Sequence, residues 1–91
     1  RWIGATARPT LFNGRPCRTR QCERLSDAIL ATTSPAAFPE GDWPRFEALI
    51  PQVRDVIWGG DCYNYGLLAS GYIDLVIESG LKLHDWAAVV P

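Results

Sequence analysis

Three short apolar runs constrain what this chain can fold into. Residues 28–33, 56–58 and 73–77 are rich in Ala, Val, Ile, Leu and Thr and are bounded by Ser-Pro, Gly-Gly and Ser-Gly breaks. Runs of that length between turn signals suit buried strands rather than helices. The last is largely apolar on both faces, as expected of a strand whose sheet is covered by helices. Between and after these runs come segments with helical character. The order from residue 28 onward is strand, helix, strand, helix, strand, helix, which argues for an α/β layer arrangement.

The helical segments carry their own signals. Ser34-Pro35 offers a cap followed by proline in a first helical turn. Gly41-Asp42 reads as a linker closing into a helix capped by Asp42. Phe46, Leu49, Ile50 and Val53 then fall on one face. Pro51 conflicts with a clean helix, because it removes an amide and clashes with the preceding turn, so a kink or an early stop is expected there. Residues 61–71 read as a helix with Cys62, Tyr65, Leu68, Ala69 and Tyr72 turned inward. Gly80 then turns the chain and Asp85 opens the last helix. Residues 1–24 are of another kind: a strand over 2–7, the hairpin signal Asn13-Gly14, and 15–20 returning as partner. The chain is α/β, α+β overall, with a hairpin region over 1–24 beside an α/β unit over 25–91.

At 91 residues the chain is one domain at most, near the size where a single core becomes marginal. An apolar share of 47% and four tryptophans argue against disorder. Nine basic residues against ten acidic give no electrostatic footprint for nucleic acid or an anionic membrane. The nearest thing to a basic patch, Arg15, Arg18, Arg20 and Arg24, reads as a solvated polar surface. No apolar run approaches the roughly 20 residues of a membrane span. The start at Arg1-Trp2 without Met, and an apolar helix barely begun at 85–91, lead us to expect further sequence at both ends. Apolar surface on the sheet and last helix would then stand exposed, and the piece alone should self-associate. Cys17, Cys22 and Cys62 form no disulfide framework, and His84 is the lone histidine. A zinc site is improbable. Buried or half-buried free thiols in a reducing cytoplasm are the plainer reading.

Gly59-Gly60-Asp61 sits where a strand hands over to a helix, the place where α/β proteins bind ligands. Asp61 there could equally cap the helix, and the two roles are compatible. Glu78 ends an apolar strand and Asp85 starts the next helix, so two carboxylates share one sheet edge, where they could bind a divalent cation or a polar substrate. A strand-end acid in water and a helix cap are the plain alternatives. His84 has no nucleophile beside it in a recognisable frame and receives no catalytic role.

The segment from Gly59-Gly60-Asp61-Cys62-Tyr63 to Glu78, with Leu83-His84-Asp85-Trp86-Ala87-Ala88, closely resembles the inositol monophosphatase superfamily. That superfamily's second signature is an Asp followed by X-Ala-Ala or X-Ala-Gly, often with Trp before the Asp. Here His84 replaces that Trp and Trp86 fills the variable position. Within the superfamily the sequence is most similar to bacterial-type histidinol-phosphate phosphatases. Arg1-Trp2-Ile3-Gly4, the Asn13-to-Pro16 hairpin, the passage from Leu25 to Pro35 and Gly59-Gly60-Asp61-Cys62-Tyr63 all carry that likeness.

The resemblance implies a layered sugar-phosphatase fold and Mg²⁺-dependent hydrolysis of a small phosphate monoester. Asp85 would be a metal ligand, Glu78 would contact the alcohol portion of the substrate, and Gly60 and Asp61 would line the substrate site. Asp61 falls where inositol phosphatases usually carry a small residue. A carboxylate there suits a substrate bearing an ammonium group, as histidinol phosphate does. The superfamily's earlier metal ligands, a Glu and an Asp-X-Asp-Gly-Thr motif, do not occur in these residues. No complete catalytic set is present, and the piece alone is expected to be inactive. A cytoplasmic homodimer is the implied form of the full-length protein. An inositol, sugar or nucleotide phosphatase of the same superfamily, or a noncatalytic α/β fragment, are the alternatives.

Overall fold

The computed structural model describes residues 1–90 as two small sheets flanked by short helices. The first sheet is an antiparallel meander of β1 (Trp2–Ala5), β2 (Arg8–Phe12) and β3 (Arg15–Pro16). The second is parallel, with β4 (Ile29–Thr32) central between β5 (Asp55–Trp58) and β6 (Leu75–Val76). Three helices accompany it: α1 (Trp43–Glu47), α2 (Tyr63–Ala69) and α3 (Leu83–Trp86). No helix among the described residues is long and apolar enough to cross a membrane.

The parallel sheet follows the apolar runs. Leu30, Ala31 and Thr32 on β4 are buried, as the central strand between two covered faces requires. β6 is short as a strand, but the amides of Asp74 and Ile77 continue its ladder to Ile29 O and Ala31 O, at 3.0 and 3.1 Å. Phe46 from α1 closes one side of the core, 2% exposed, among the rings of Phe38, Trp43 and Trp58.

Around this frame the structure corrects several expectations. The first sheet is not a single hairpin. Asn13 and Gly14 do form the tight turn, with φ of 49° and 82°. However, the strand they close is Arg8–Phe12, and Trp2–Ala5 pairs with its other edge through a turn at Ala7, φ 62°. Pro9 is tolerated in this middle strand because its nitrogen faces β1, like the Asn13 amide that bonds Arg1 O, at the point where the β1–β2 register shifts between Ile3 and Ala5 and no ladder bond is required of it. The return strand expected over 15–20 shrinks accordingly.

Helix α1 stops at Glu47, and Pro51 lies in a separate turn of 3₁₀ helix, Ile50–Gln52, so the apolar face is split rather than continuous. Asp42 stands at the N-cap position of α1 as expected, but its side chain makes no capping hydrogen bond. Its carboxylate accepts a hydrogen bond from Ser79 Oγ at 2.5 Å instead. Ser34 does act as expected, accepting from the Ala36 amide at 3.2 Å ahead of Pro35, though for one turn only. On α2 the expected inner side is wrong at both ends. Cys62 and Tyr72 are exposed, and the fully buried residue is Asn64. Cys17 is half-buried, while Cys22 and Cys62 are exposed free thiols.

The two sheets are joined at two places. Trp2 stacks on Phe12 and meets Tyr63 edge-on, and its Nε1 donates to Ser70 Oγ at 2.8 Å. A Cβ added at Gly66 would stand 2.8 Å from the Trp2 ring, so glycine is what lets α2 approach the first sheet. The second link is Arg20, which is not merely a solvated cation. Its guanidinium donates twice to Asp74, at 2.7 and 2.6 Å, and Asp74 also accepts the Ile29 amide at 2.7 Å. This brace fixes the crossing segment 17–24 to the start of β4 and β6.

Candidate functional site

Because β4, β5 and β6 are parallel, their C-terminal ends lie on one edge of the sheet. That edge gathers Thr33, the loop Gly59-Gly60-Asp61 and Glu78. Helix backbone and strand ends are positioned there by ordinary packing, which frees the loops to carry chemistry.

The glycine loop is built on three successive left-handed residues: Gly59, Gly60 and Asp61, with φ of 85°, 93° and 47°. Glycine takes this conformation freely, and Asp is among the few other residues that visit it. The Gly59 amide reaches back to Thr32 O and Thr33 O, each at 3.0 Å, tying the loop to β4. Asn64, 1% exposed, donates its Nδ2 to Gly59 O at 2.8 Å. A Cβ at Gly60 would collide with the Asn64 side chain. Asn64 is therefore the internal fastening of the loop. Sequence reading missed it because polar residues are invisible to apolar periodicity. The signal available was an amide four residues beyond a Gly-Gly pair, able to satisfy a loop carbonyl.

Asp61 does not cap α2. The preceding residue of the helix is Cys62, with no side-chain cap, and Asp61 is exposed on the left-handed turn. Asp85 does not open its helix either. It is the third residue of α3, where Oδ2 accepts the Lys82 amide at 2.8 Å. Its Oδ1 lies 3.4 Å from His84 Nε2, and the Asp85 side chain is 39% exposed.

Glu78 is gripped on both oxygens. Thr33 Oγ1 donates to Oε1, and the Tyr65 hydroxyl donates to Oε2 at 2.8 Å. Tyr65 collects the influence of the whole edge. Burial, then its hydrogen bond to Glu78, then the negative charges of Glu78, Asp85 and Asp61 push its phenol up to about 12. All three carboxylates singled out from the sequence thus act on one hydroxyl that the sequence reading placed only as an inward helix residue.

Two clefts border this region. One of about 260 Å³ lies between the first sheet and α2, with Trp2, Thr10, Cys62, Tyr65 and Gly66 in its wall. Another of about 210 Å³ is lined by Phe38, Asp42, Arg45, Ile77, Glu78 and Ser79. Gly60, Asp61 and Asp85 line neither, so the carboxylate edge is open rather than enclosed. Among the described residues no three His, Cys, Asp or Glu side chains come together to hold a metal ion. Asp85 has Lys82 N on Oδ2 and His84 Nε2 near Oδ1, and a lone carboxylate does not make a cation site by itself.

No family model matches the chain. Over its whole length it is 50% identical to the bifunctional phosphatase IMPL2, chloroplastic, of Arabidopsis thaliana, and it covers 26% of that protein. An inositol monophosphatase from Zymomonas mobilis, of known structure, is 50% identical, with a TM-score of 0.96 over 99% of this chain and 36% of that one. The extragenic suppressor protein suhB from Bartonella henselae, at 24% identity and a TM-score of 0.86, shares the fold over 98% of this chain and 35% of its own. The chain spans about a quarter of the curated relative and about a third of the solved ones.

Proposed function

We infer that this chain, which has the inositol monophosphatase fold and whose likenesses support a place in that superfamily, is the substrate-side segment of a phosphate monoester hydrolase. Its substrate is histidinol phosphate in our reading. The observation that supports this reading is the exposed Asp61 on the Gly59-Gly60 loop at the same sheet edge as Glu78, whose carboxylate Thr33 and Tyr65 hold on both oxygens. An edge with three carboxylates attracts a substrate bearing an ammonium group, and charge-assisted hydrogen bonds to it are stronger than those to a neutral polyol. Glu78 would contact the alcohol-derived portion, which in histidinol phosphate carries the ammonium group, and Asp61 and Gly60 would border the same portion.

Mg²⁺ is the ion we assign to the full-length enzyme, where it would neutralise phosphate charge and lower the pKa of bound water. In this segment Asp85 is the residue we assign as a ligand. The residues here do not complete a binding set, so the remaining ligands would come from elsewhere in the full-length protein. A homodimer and a cytoplasmic location belong to the same proposal, and three free thiols are compatible with a reducing compartment.

A second reading, hydrolysis of an inositol phosphate, is favoured by the 50% identity to a protein described as an inositol monophosphatase. The two separate on phosphate release by the full-length protein with Mg²⁺, comparing histidinol phosphate with inositol 1-phosphate. Preference for histidinol phosphate that is lost in Asp61→Ala supports the first reading. Equal rates, or preference for the inositol ester, would replace it with the second.

A further inference from the structure

We propose that Tyr65 is a positioning residue for substrate selection, acting through Glu78; this rests on the reading of Glu78 as a substrate contact. Its hydroxyl and that of Thr33 hold the two oxygens of the Glu78 carboxylate from opposite elements, α2 and the end of β4. A carboxylate has about four lone-pair positions, and these two donors occupy one on each oxygen. The remaining positions are left for a ligand, and their direction is set by the two hydroxyls rather than by free rotation of the side chain.

Packing alone does not require a tyrosine here. Tyr65 is half-buried on a helix whose neighbouring positions are filled by Gly66, Leu67 and Leu68, and a phenylalanine would fill the same space. What the hydroxyl adds is a donor fixed on Glu78. A phenol is protonated across the neutral range in any case, and burial with the bond to Glu78 raises it further, so it donates at any working pH. A buried hydroxyl that merely satisfies itself on the nearest acceptor is the plainer alternative. The two differ in substrate dependence, because a fastening of local structure affects every substrate alike.

The test uses the full-length enzyme with Mg²⁺ and four forms: wild type, Tyr65→Phe, Glu78→Gln and the double variant. Steady-state kcat and KM are measured on histidinol phosphate and inositol 1-phosphate. Tyr65→Phe should raise KM for the ammonium-bearing ester roughly ten-fold, the scale of one hydrogen bond to a charged group, with kcat nearly unchanged. KM for the inositol ester should change less than about two-fold, and Tyr65→Phe should add nothing in the Glu78→Gln background. Thr33→Ser, which keeps a hydroxyl, should behave as wild type, and Thr33→Val should follow Tyr65→Phe. Wild-type selectivity retained in Tyr65→Phe, or equal KM rises for both esters, would overturn this inference alone. A wild type with no preference for the ammonium-bearing ester would overturn it together with the substrate reading.

Discussion

Replacing Asp74 with Asn in the full-length protein should remove most of the brace that ties segment 17–24 to the parallel sheet. The side chain is 4% exposed and its partner Arg20 is 35% exposed, so this pair is neither a surface ion pair nor a deeply buried one. The hydrogen bond from Arg20 is the main cause holding the Asp74 carboxyl at about 2, against an ordinary 3.8. Burial opposes it, while the Ile29 amide and the charge of Arg20 assist. At about 1.4 kcal/mol per pKa unit this lowering corresponds to roughly 2–2.5 kcal/mol. Water around the guanidinium screens the pair and reduces that to about 1–1.5 kcal/mol. Asparagine retains an acceptor for the Ile29 amide. Alanine does not, and should cost about 1–3 kcal/mol more.

The pH dependence has a definite sign. A folded value below the unfolded one means the contribution is complete above about pH 4 and fades as pH falls toward 2. Urea unfolding followed by tryptophan fluorescence, on wild type and Asp74→Asn, should show a gap at pH 7 that narrows between pH 4 and 2. No gap at pH 7, or a gap that stays constant down to pH 2, would refute the reasoning.

Three other substitutions or titrations follow from the same geometry. Thr32 Oγ1 is buried without a hydrogen-bond partner, so Thr32→Val should leave stability unchanged or raise it by about 1 kcal/mol in the same unfolding assay. Gly60→Ala meets both a φ of 93° and the Asn64 side chain; activity of the full-length enzyme should fall at least about ten-fold, while its far-ultraviolet circular dichroism stays native. Alkaline difference spectroscopy should show one tyrosine titrating near 12 that is missing in Tyr65→Phe. Because that folded value is raised, the associated stability is present below about pH 10 and is lost as pH climbs toward 12.

The parts of the fold legible in the sequence were those whose cause is local. β4 announced itself because a buried central strand needs continuous apolar side chains, and the Asn13-Gly14 turn because its backbone needs positive φ at both residues. The run 56–58 is a strand too, but β5 lies at the sheet's edge with Ile57 and Trp58 exposed rather than buried. β2 did not, since Pro9 and Arg8 lower any strand reading; its partner arrangement, visible only in three dimensions, makes the proline harmless. Helix caps failed for a related reason. Asp42 and Asp61 look like caps by position, but Ser79 claims the first and the left-handed turn carries the second outside the helix. At the sheet edge, Asp61, Glu78 and Asp85 were readable from strand and helix boundaries. Asn64, Tyr65 and Thr33 were not, because their roles depend on partners 5, 13 and 45 residues away.

Glu78 has one further consequence, which is mechanical. Its carboxylate is a knot shared by three stretches of chain: the end of β4, the inner face of α2 and the exit from β6. Force applied at the knot is distributed along all three, and a ligand that tightens it stiffens them together. Slower amide hydrogen exchange at Ile77, whose N–H bonds to Ala31 O, would then report an event at Glu78 from within the sheet. The edge proposed to receive a substrate would in this way also be the seam along which the small sheet is sewn.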